Sequence, residues 1–324
     1  MTQRKSLIPC CIILLLILPS HVHSVLGAFG LNSSIYDAAN LTWKLGLSIQ
    51  GAARPEILLP TYDSERRLFA NRVIRSSGAY LRFICNIKQP LAQLRGLNDD
   101  LEAHEEDLPA LDGTSEADRR FLQSFFGRNA HFLLGVEGPI VESAICPSDT
   151  SSSTNKLIPL PTSLRNGVRV PNPRVCFSLA STGYLYDAML GVSRFHILLF
   201  SSDMQGLVRT RLIHFAEHVF APKGFYTRFG ASERFNVLLV TKALPREVET
   251  LLKGDPALKQ LRQRATIIYD DRAPDEDAHY WFAINHARGA VVVTRPDLRV
   301  GISACLDGSQ ALSEYFGRFL VERK

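Results

Sequence analysis

The chain has 324 residues, of which 46% are hydrophobic and 21% are charged, with 21 glycines and 17 prolines. This balance excludes disordered, collagen-like and multi-pass membrane proteins, and the length is enough for two domains with sizeable cores. The formal net charge of +5 is spread thinly along the chain and does not indicate a nucleic-acid partner. The six cysteines show neither a CxxC pair nor a regular spacing, so the sequence predicts no disulfide framework and no zinc site.

The first twenty residues form a segment of their own, with basic Arg4 and Lys5 followed by an apolar stretch over residues 7–19. At about 13 residues this stretch is too short to span a bilayer. Its length and flanks are typical of a secretory signal peptide, which predicts glycosylation at the triplets that begin at Asn32 and Asn40. The interpretation that we favour is a leader translated from an intron or from another first exon, because the pattern that follows starts abruptly at His21. A genuine signal peptide is the alternative.

The next segment combines a glycine-containing turn with a helical pattern. It reads HVHSVLGAFGLN over residues 21–32 and DAANLTWKL over residues 37–45. Leu41, Leu45 and Ile49 recur at helical spacing and predict the buried face of this helix. Backbone N–H groups at the start of such a helix favour negative charge on a ligand.

This segment resembles the flavin-ring turn of FAD-dependent aromatic hydroxylases, more narrowly of the phenol hydroxylase branch. The resemblance implies that Gly30, Leu31 and Asn32 contact the flavin ring through their backbones, with FAD as cofactor and NADPH as co-substrate. It breaks off upstream, because residues 17–20 read ILPS where the family has Gly-Asp-Ala-Ala, and no GxGxxG motif occurs in the chain. We therefore expect a truncated polypeptide with compromised FAD binding and no catalytic residue of its own.

The family pattern continues into a second helix and ends at a linker. Residues 58–66 read LLPTYDSER, and Glu65 and Arg66 are predicted to make ion pairs at the start of a long helix. The acidic residues over 98–120 lack an apolar frame, which favours a solvated face over a glycosidase or metal site. The Ser-rich stretch over residues 147–156 is predicted to be a linker, with a domain boundary near residue 160.

Beyond the linker, apolar strand patterns alternate with helical ones. The sequence predicts strands at 195–200, 235–240, 265–269 and 290–294, and helices at 207–220, 245–264 and 309–323. This alternation predicts an α/β fold with a single sheet.

Three motifs in this half resemble the C-terminal domain of phenol hydroxylases: GVRVPN at 167–172, YLYD at 184–187 and TRPDLRVG at 294–301. The resemblance implies a thioredoxin-like domain without CxxC that builds a subunit interface. Within the last motif, Pro296 is predicted to fix a turn after a strand, and Asp297 to bond N–H groups of that turn.

Several histidines invite a metal or catalytic interpretation. His214, Glu217 and His218 fit the HxxEH pattern of some zinc proteases, but we expect exposed helix residues, because the surrounding strand and helix pattern matches another fold. His279 and His286 flank an aromatic run and are predicted to belong to a packing cluster.

The sequence therefore predicts an α/β chain in three parts: a leader at 1–20, a partial FAD and substrate domain at 21–160, and a thioredoxin-like dimerisation domain at 161–324. By resemblance, the function is hydroxylation of a phenolic or aromatic substrate with FAD, NADPH and O2, by a cytoplasmic homodimer without a membrane span or nucleic acid. The alternative is a secreted, non-catalytic dimerising protein derived from that family.

Overall fold

The computed structural model describes residues 29–85, 140, 143–147, 162, 164–271 and 277–323, with three isolated positions between 116 and 123. The predicted leader and most of the acidic stretch and of the linker lie outside these residues. The chain divides into two units: Met1–Leu41 with Pro60–Gly138, and Thr42–Leu59 with Pro139–Lys324. This division differs from the predicted boundary near 160, because Trp43, Leu47 and Ile145 belong to the core of the second unit.

Within the described residues 29–85, three helices precede the sheet: α1 (Phe29–Ile49), the short α2 (Pro55–Leu58) and α3 (Pro60–Cys85). Leu41, Leu45 and Ile49 were predicted to form the buried face of α1. Only Leu41 is buried; Leu45 is half-buried and Ile49 is 81% exposed, so the predicted face is wrong. Asp37 and Asn40 are buried instead, because both find polar partners on α3. Spacing of apolar residues alone could not reveal a helix face that is stabilised by polar pairs.

The second unit contains a seven-stranded sheet in the order β2-β1-β5-β4-β3-β6-β7. The central strands β3, β4 and β5 are parallel, while β1 and β2 at one side and β6 and β7 at the other pair antiparallel. The strands are β1 (Arg174–Ser178), β2 (Ser181–Tyr184), β3 (Phe195–Phe200), β4 (Phe235–Thr241), β5 (Ala265–Tyr269), β6 (Ala290–Thr294) and β7 (Val300–Ala304).

The predicted strands are confirmed within one residue, whereas β1, β2 and β7 were not predicted. Among the described residues after β2, the α-helices are α4 (Gly206–Val219), α5 (Phe225–Arg228), α6 (Pro245–Lys253), α7 (Pro256–Arg264), α8 (Ala278–Trp281) and α9 (Ser309–Phe319). The single helix predicted over 245–264 is wrong. It divides because Asp255 caps α7 by accepting hydrogen bonds from the N–H groups of Ala257 and Leu258, and Pro256 takes the first helical position.

The strands β3, β4 and β6 are buried on both faces almost throughout, which explains their nearly continuous apolar sequences. On one face, Ile197 and Leu199 of β3 pack in a core with residues from α1, α4, α6, α7 and α9. On the other face, Leu198 and Phe200 pack with residues from the β1 region and from α8. Side chains alternate between faces along a strand, so a single strand supplies both cores.

The motif at 294–301 forms the turn between β6 and β7. Its predicted position after a strand is confirmed, since β6 ends at Thr294 and Leu298 N–H donates to the carbonyl oxygen of Arg295. The carboxylate of Asp297 accepts two hydrogen bonds from the buried guanidinium of Arg295, at 3.0 and 2.6 Å. Arg295 in turn lies over the ring of Trp43, 5.4 Å from its centroid.

Candidate functional site

The predicted flavin contacts fall in the first turn of α1. Gly30, Leu31 and Asn32 are helical rather than part of a separate turn, and the Asn32 side chain is exposed. The N–H groups of a helix's first turn have no partner within the helix, and the helix dipole adds partial positive charge there. The first turn of this 21-residue helix therefore offers N–H donors suited to an anionic group.

Behind this turn, polar pairs join α1 to α3. The guanidinium of Arg66 forms a buried ion pair with Asp37, as its predicted ion-pair role requires. Glu65 instead accepts a hydrogen bond from Asn40 Nδ2 at 2.8 Å. Burial, and next the nearby Asp37 carboxylate, raise the pKa of Tyr62 to about 12.

The two candidate glycosylation triplets differ in accessibility. Asn32 is exposed, whereas Asn40 is 4% exposed and its amide nitrogen is bonded to Glu65. A glycan attached to Asn40 would have to displace this packed pair, so the folded helix has no room for one there.

A second polar site lies where the carboxyl ends of β3, β4 and β5 meet. Asp270 directly follows β5, and its two oxygens accept hydrogen bonds from the backbone N–H groups of Ala278 (2.8 Å) and His279 (2.9 Å). The Nδ1 of His279 lies 2.5 Å from the same Asp270 carboxylate. Both side chains have no exposed area, so this acid and imidazole form a pair shielded from solvent.

Burial lowers the pKa of His279, although hydrogen bonding and charge attraction from Asp270 act in the opposite direction. For Asp270, burial alone would raise the pKa, but the hydrogen bonds from its neighbours outweigh it and hold the pKa below its usual range. The pair therefore consists of an ionised carboxylate and a neutral imidazole. In that state His279 donates from Nδ1 and accepts at Nε2.

Lys242, which directly follows β4, supplies the countercharge. Its Nζ lies 2.6 Å from Asp277 Oδ2 and 3.8 Å from Asp270 Oδ2. Among the described residues, Asp270, Asp277 and His279 are the one group of three whose ligand atoms lie close enough together for a metal ion. The Lys242 ammonium already occupies the position of a cation beside both carboxylates, so these residues do not fit a metal.

The segment after β3 completes this site. Ser202 N–H donates to Nε2 of His279 at 3.1 Å, and the carbonyl oxygen of Ser202 accepts from Thr241 Oγ1 and Lys242 N. Ser202 Oγ lies 3.1 Å from the carbonyl oxygen of His286, whose ring stacks on that of His279 with centroids 5.2 Å apart. Ser202 has a φ of +47°, a left-handed value that is uncommon for a residue other than glycine.

A cleft of about 610 Å³ opens beside this network. Ser202, Lys242 and His286 contribute polar groups to its wall, and Leu207 and Val208 of the first turn of α4 contribute apolar ones. In open α/β sheets, a crevice at the carboxyl ends of the strands, where the strand order reverses, is the usual ligand position. Here the cleft lies at the carboxyl ends of the parallel strands β3 and β4, since Ser202 and Lys242 in its wall follow these strands.

The sequence interpretation missed this site. It assigned His279 and His286 to a packing cluster, whereas His279 is buried within a polar network. Polar residues directly after three consecutive parallel strands, Ser202, Lys242 and Asp270, were the available signal. His214 and His218 lie exposed on α4 as predicted, with their rings stacked 3.9 Å apart.

Comparison with protein-family models gives two matches. The model for the phenol hydroxylase C-terminal dimerisation domain matches residues 139–324. The chain belongs to the phenol hydroxylase family. A model for an FAD binding domain also matches residues 20–77, which include α1 and the start of α3. Within the described part of this phenol hydroxylase-like chain, no helix is both long and apolar enough to cross a bilayer.

Curated relatives agree with this assignment. An FAD-dependent monooxygenase of Aspergillus terreus is 60% identical over 92% of the chain, and the FAD-dependent monooxygenase terD of the same fungus is 25% identical over 94%. The phenol hydroxylase-like chain spans 41% and 48% of these two relatives. Aklavinone-11 hydroxylase, solved with FAD and aklavinone, is similar in fold with a TM-score of 0.50 and 18% identity, over 92% of this chain and 41% of that one. The chain is thus an α/β member of an FAD-dependent monooxygenase family.

Proposed function

We propose that this chain is part of an FAD-dependent monooxygenase that hydroxylates a phenolic or aromatic compound with NADPH and O2. The observation that carries the proposal is the first turn of α1, which offers backbone N–H groups within the segment that matches an FAD binding domain. The 60% identical monooxygenase supports the same reaction class. Because the chain spans less than half of that relative, the reaction is proposed for the whole protein.

Gly30, Leu31 and Asn32 would contact the flavin ring through their backbones, and the N–H groups of Gly30 and Leu31 would act as donors. When bound, FAD supplies the redox chemistry, and the protein supplies orientation and electrostatics. The donors of α1 suit the electron-rich edge of the flavin ring, since N–H groups at a helix start stabilise the negative charge of its reduced form. The Asp37–Arg66 pair would support this turn by holding α1 against α3.

The test is FAD binding by the purified chain, followed through flavin fluorescence and equilibrium dialysis. We expect saturable but weak binding, because the chain carries no GxGxxG motif. Gly30→Pro removes one N–H while a first helical turn still accepts proline, and should weaken binding of reduced FAD by about tenfold or more. Gly30→Ala keeps the N–H and is the matched control. Absence of saturable binding, or equal losses in both variants, would contradict the proposed contact.

For the sheet unit we propose a thioredoxin-like fold that serves as a homodimer interface. Two observations support the fold: the order β4-β3-β6-β7, and the βαβ connection from β3 through α4 to β4 followed by an antiparallel β6–β7 pair and a closing α9. The homodimer rests on the matched dimerisation domain. Sedimentation equilibrium of the full chain tests it, with a dimer expected and a concentration-independent monomer mass as the contrary result.

We further propose that the protein works in the cytoplasm, as its family resemblance implies. The buried Asn40 disfavours the secreted alternative, because the folded helix leaves no space for a glycan there. Endoglycosidase treatment of the protein from its native host tests this choice. A mass shift that maps to Asn32 or Asn40 would favour secretion.

A further inference from the structure

Several hydrogen bonds hold the segment between β3 and α4, and one of them depends on the protonation state of a buried histidine. We propose that Ser202–Gly206 is a pH-sensitive loop, latched when neutral His279 accepts the Ser202 N–H and released when His279 takes up a proton. The latch controls the shape of the cleft, since Ser202 and Gly206 line its wall. This inference rests on the geometry of the sheet unit and does not depend on the proposed monooxygenase reaction.

The hydrogen bonds around His279 specify a single protonation state. Its Nδ1 faces the Asp270 carboxylate and its Nε2 faces the Ser202 N–H. An imidazole donates from one nitrogen and accepts at the other only when it is neutral, and both nitrogens are donors once it is protonated. A proton on Nε2 would point at the Ser202 N–H, so two donors would oppose each other and the bond would be lost.

The groups around His279 come from every element at this edge of the sheet. Asp270 favours the protonated ring, while burial and the charges of Lys242 and His286 disfavour it. The side of the ring toward β3 is apolar, with Phe200 in edge contact at 5.2 Å between centroids. Among the described residues, further charged groups at this edge include Asp277, which is paired with Lys242, Asp203, which accepts from Gln205 N–H, and Asp271, which accepts from Cys176 Sγ.

The latched loop has a conformation that it would not adopt by itself. Ser202 and Met204 both have left-handed backbones, with φ of +47° and +55°. Such values persist where surrounding bonds over-determine them. Here these bonds are the one to His279 and those from Thr241 and Lys242 to the Ser202 carbonyl oxygen. Loss of the His279 bond frees the Ser202 N–H and lets the loop relax toward ordinary backbone angles.

The direction of the pH response follows from the lowered pKa. A released loop exposes His279, whose pKa then rises toward the ordinary value near 6.5. The released state therefore binds the proton more tightly than the latched state. Acidification below about pH 6.5 favours release, by up to about tenfold in the opening equilibrium for each pH unit.

The test is amide hydrogen exchange of the full chain from about pH 7.5 to about pH 5, corrected for the intrinsic pH dependence of exchange. We expect the protection of the Ser202 amide to fall by up to about tenfold per pH unit below pH 6.5. The amide of Leu239, in the centre of β4, is the internal reference and should not follow this local change. Constant Ser202 protection over the whole range would overturn the proposal.

Two variants distinguish the role of His279 from that of the stacked His286. His279→Gln keeps an amide oxygen for the Ser202 N–H at every pH, so the acid-dependent loss of protection should disappear. His286→Gln removes the other histidine of the stack and should retain that loss, with its midpoint moved to higher pH because one opposing charge is gone. Retention of the response in His279→Gln, or its loss in His286→Gln, would overturn the proposal.

If His279→Gln does not fold, the wild-type protein carries an equivalent test. Nitrogen NMR of the imidazole reports which ring nitrogen bears the proton. We expect a neutral His279 ring protonated at Nδ1 at about pH 7, which becomes doubly protonated together with the loss of Ser202 protection. A ring protonated at Nε2 at neutral pH, or one that titrates without any change at Ser202, would contradict the latch.

Discussion

The helix-covered face of the sheet and the Asp270–His279 pair at its carboxyl edge are both shielded from solvent, but different forces stabilise them. On the helical face, Phe195 contacts the rings of Trp43, Phe235, Phe316 and Phe319 at centroid distances between 5.3 and 6.3 Å. At the carboxyl edge, Asp270 and His279 are held by hydrogen bonds and by the nearby Lys242 charge.

Apolar packing is non-directional and does not change with pH, whereas a buried hydrogen-bond chain needs every donor and acceptor in the right protonation state. One sheet therefore combines a core whose packing does not depend on pH with a carboxyl edge whose hydrogen bonds do. We expect the two regions to respond differently to substitution and to acid.

The largest expected effect tests the apolar face. Phe195→Ala leaves a cavity among four aromatic rings and should lower the free energy of unfolding by about 3–5 kcal/mol. Urea denaturation at neutral pH measures it. The control is Leu179→Ala, because Leu179 is 91% exposed and should change stability by less than about 0.5 kcal/mol. A loss below about 1 kcal/mol for Phe195→Ala would mean that this face is loosely packed.

The next effect tests the polar edge. Asp270→Asn places an NH2 group against donors that now bond to a carboxylate, so we expect a loss of about 2–4 kcal/mol in the free energy of unfolding. Asp277→Asn is the matched control, since Asp277 is partly exposed and accepts from Lys242 at 2.6 Å. The Asp277→Asn substitution should lower the free energy of unfolding by only about 1 kcal/mol. Equal losses in the two variants would contradict the special role of the buried carboxylate.

Acid should lower the stability through two buried histidines, His279 at the carboxyl edge and His196 near the start of β3. Two buried histidines have a lowered pKa: burial, and next Arg194, lower that of His196 to about 4, and burial lowers that of His279. The unfolded chain therefore binds more protons below about pH 6.5. Stability is complete above that pH and falls on acidification toward pH 4, with a slope approaching about 1.4 kcal/mol per pH unit for each histidine.

Urea denaturation over a pH series measures this slope. Phe195→Ala should lower stability at every pH with an unchanged slope, because it removes no titrating group. His196→Gln should reduce the dependence of the free energy of unfolding on pH by the contribution of one histidine. A stability that stays constant from about pH 7 to pH 5 would show that both histidines titrate alike in the folded and unfolded chain.

The smallest expected effect concerns a polar contact beside the apolar face. Asp255→Ala removes the cap of α7 and should cost about 1 kcal/mol in the free energy of unfolding. Lys259→Ala on the same helix is exposed and should change stability by less than about 0.5 kcal/mol. A loss for Asp255→Ala as large as that for Asp270→Asn would remove the distinction between half-buried and fully buried polar groups.

Much of the fold could be predicted because its signals are local. The apolar runs at 195–200, 265–269 and 290–294 have the length and β-branched content of strands buried on both faces, and the structure has strands with these bounds. The break between α6 and α7 was also encoded locally, in Gly254, Asp255 and Pro256, but an amphipathic pattern that continues across it concealed it. The short β1 pairs with β5, and β2 pairs with β1; neither strand has a comparable apolar run.

The candidate sites differ in the same respect: a contiguous motif could be predicted from the sequence, and a site assembled from distant segments could not. Gly30, Leu31 and Asn32 could be proposed from sequence because a flavin-ring turn is a contiguous motif, and they stay a prediction for FAD contact. Asp270, His279 and Ser202 could not be grouped, since they are up to 77 residues apart and only the parallel pairing of β3, β4 and β5 brings them together.

The sequence by itself therefore determined the strands β3 to β6, the approximate positions of the main helices around them and the family, because each depends on residues close together in the chain. The tertiary structure alone decided that α1 buries Asp37 and Asn40 rather than Ile49, and that Lys242 stands beside two carboxylates. The physical reason is that burial of a polar group depends on a partner that folding brings from elsewhere in the chain. The spacing of apolar residues carries no information about such polar partners.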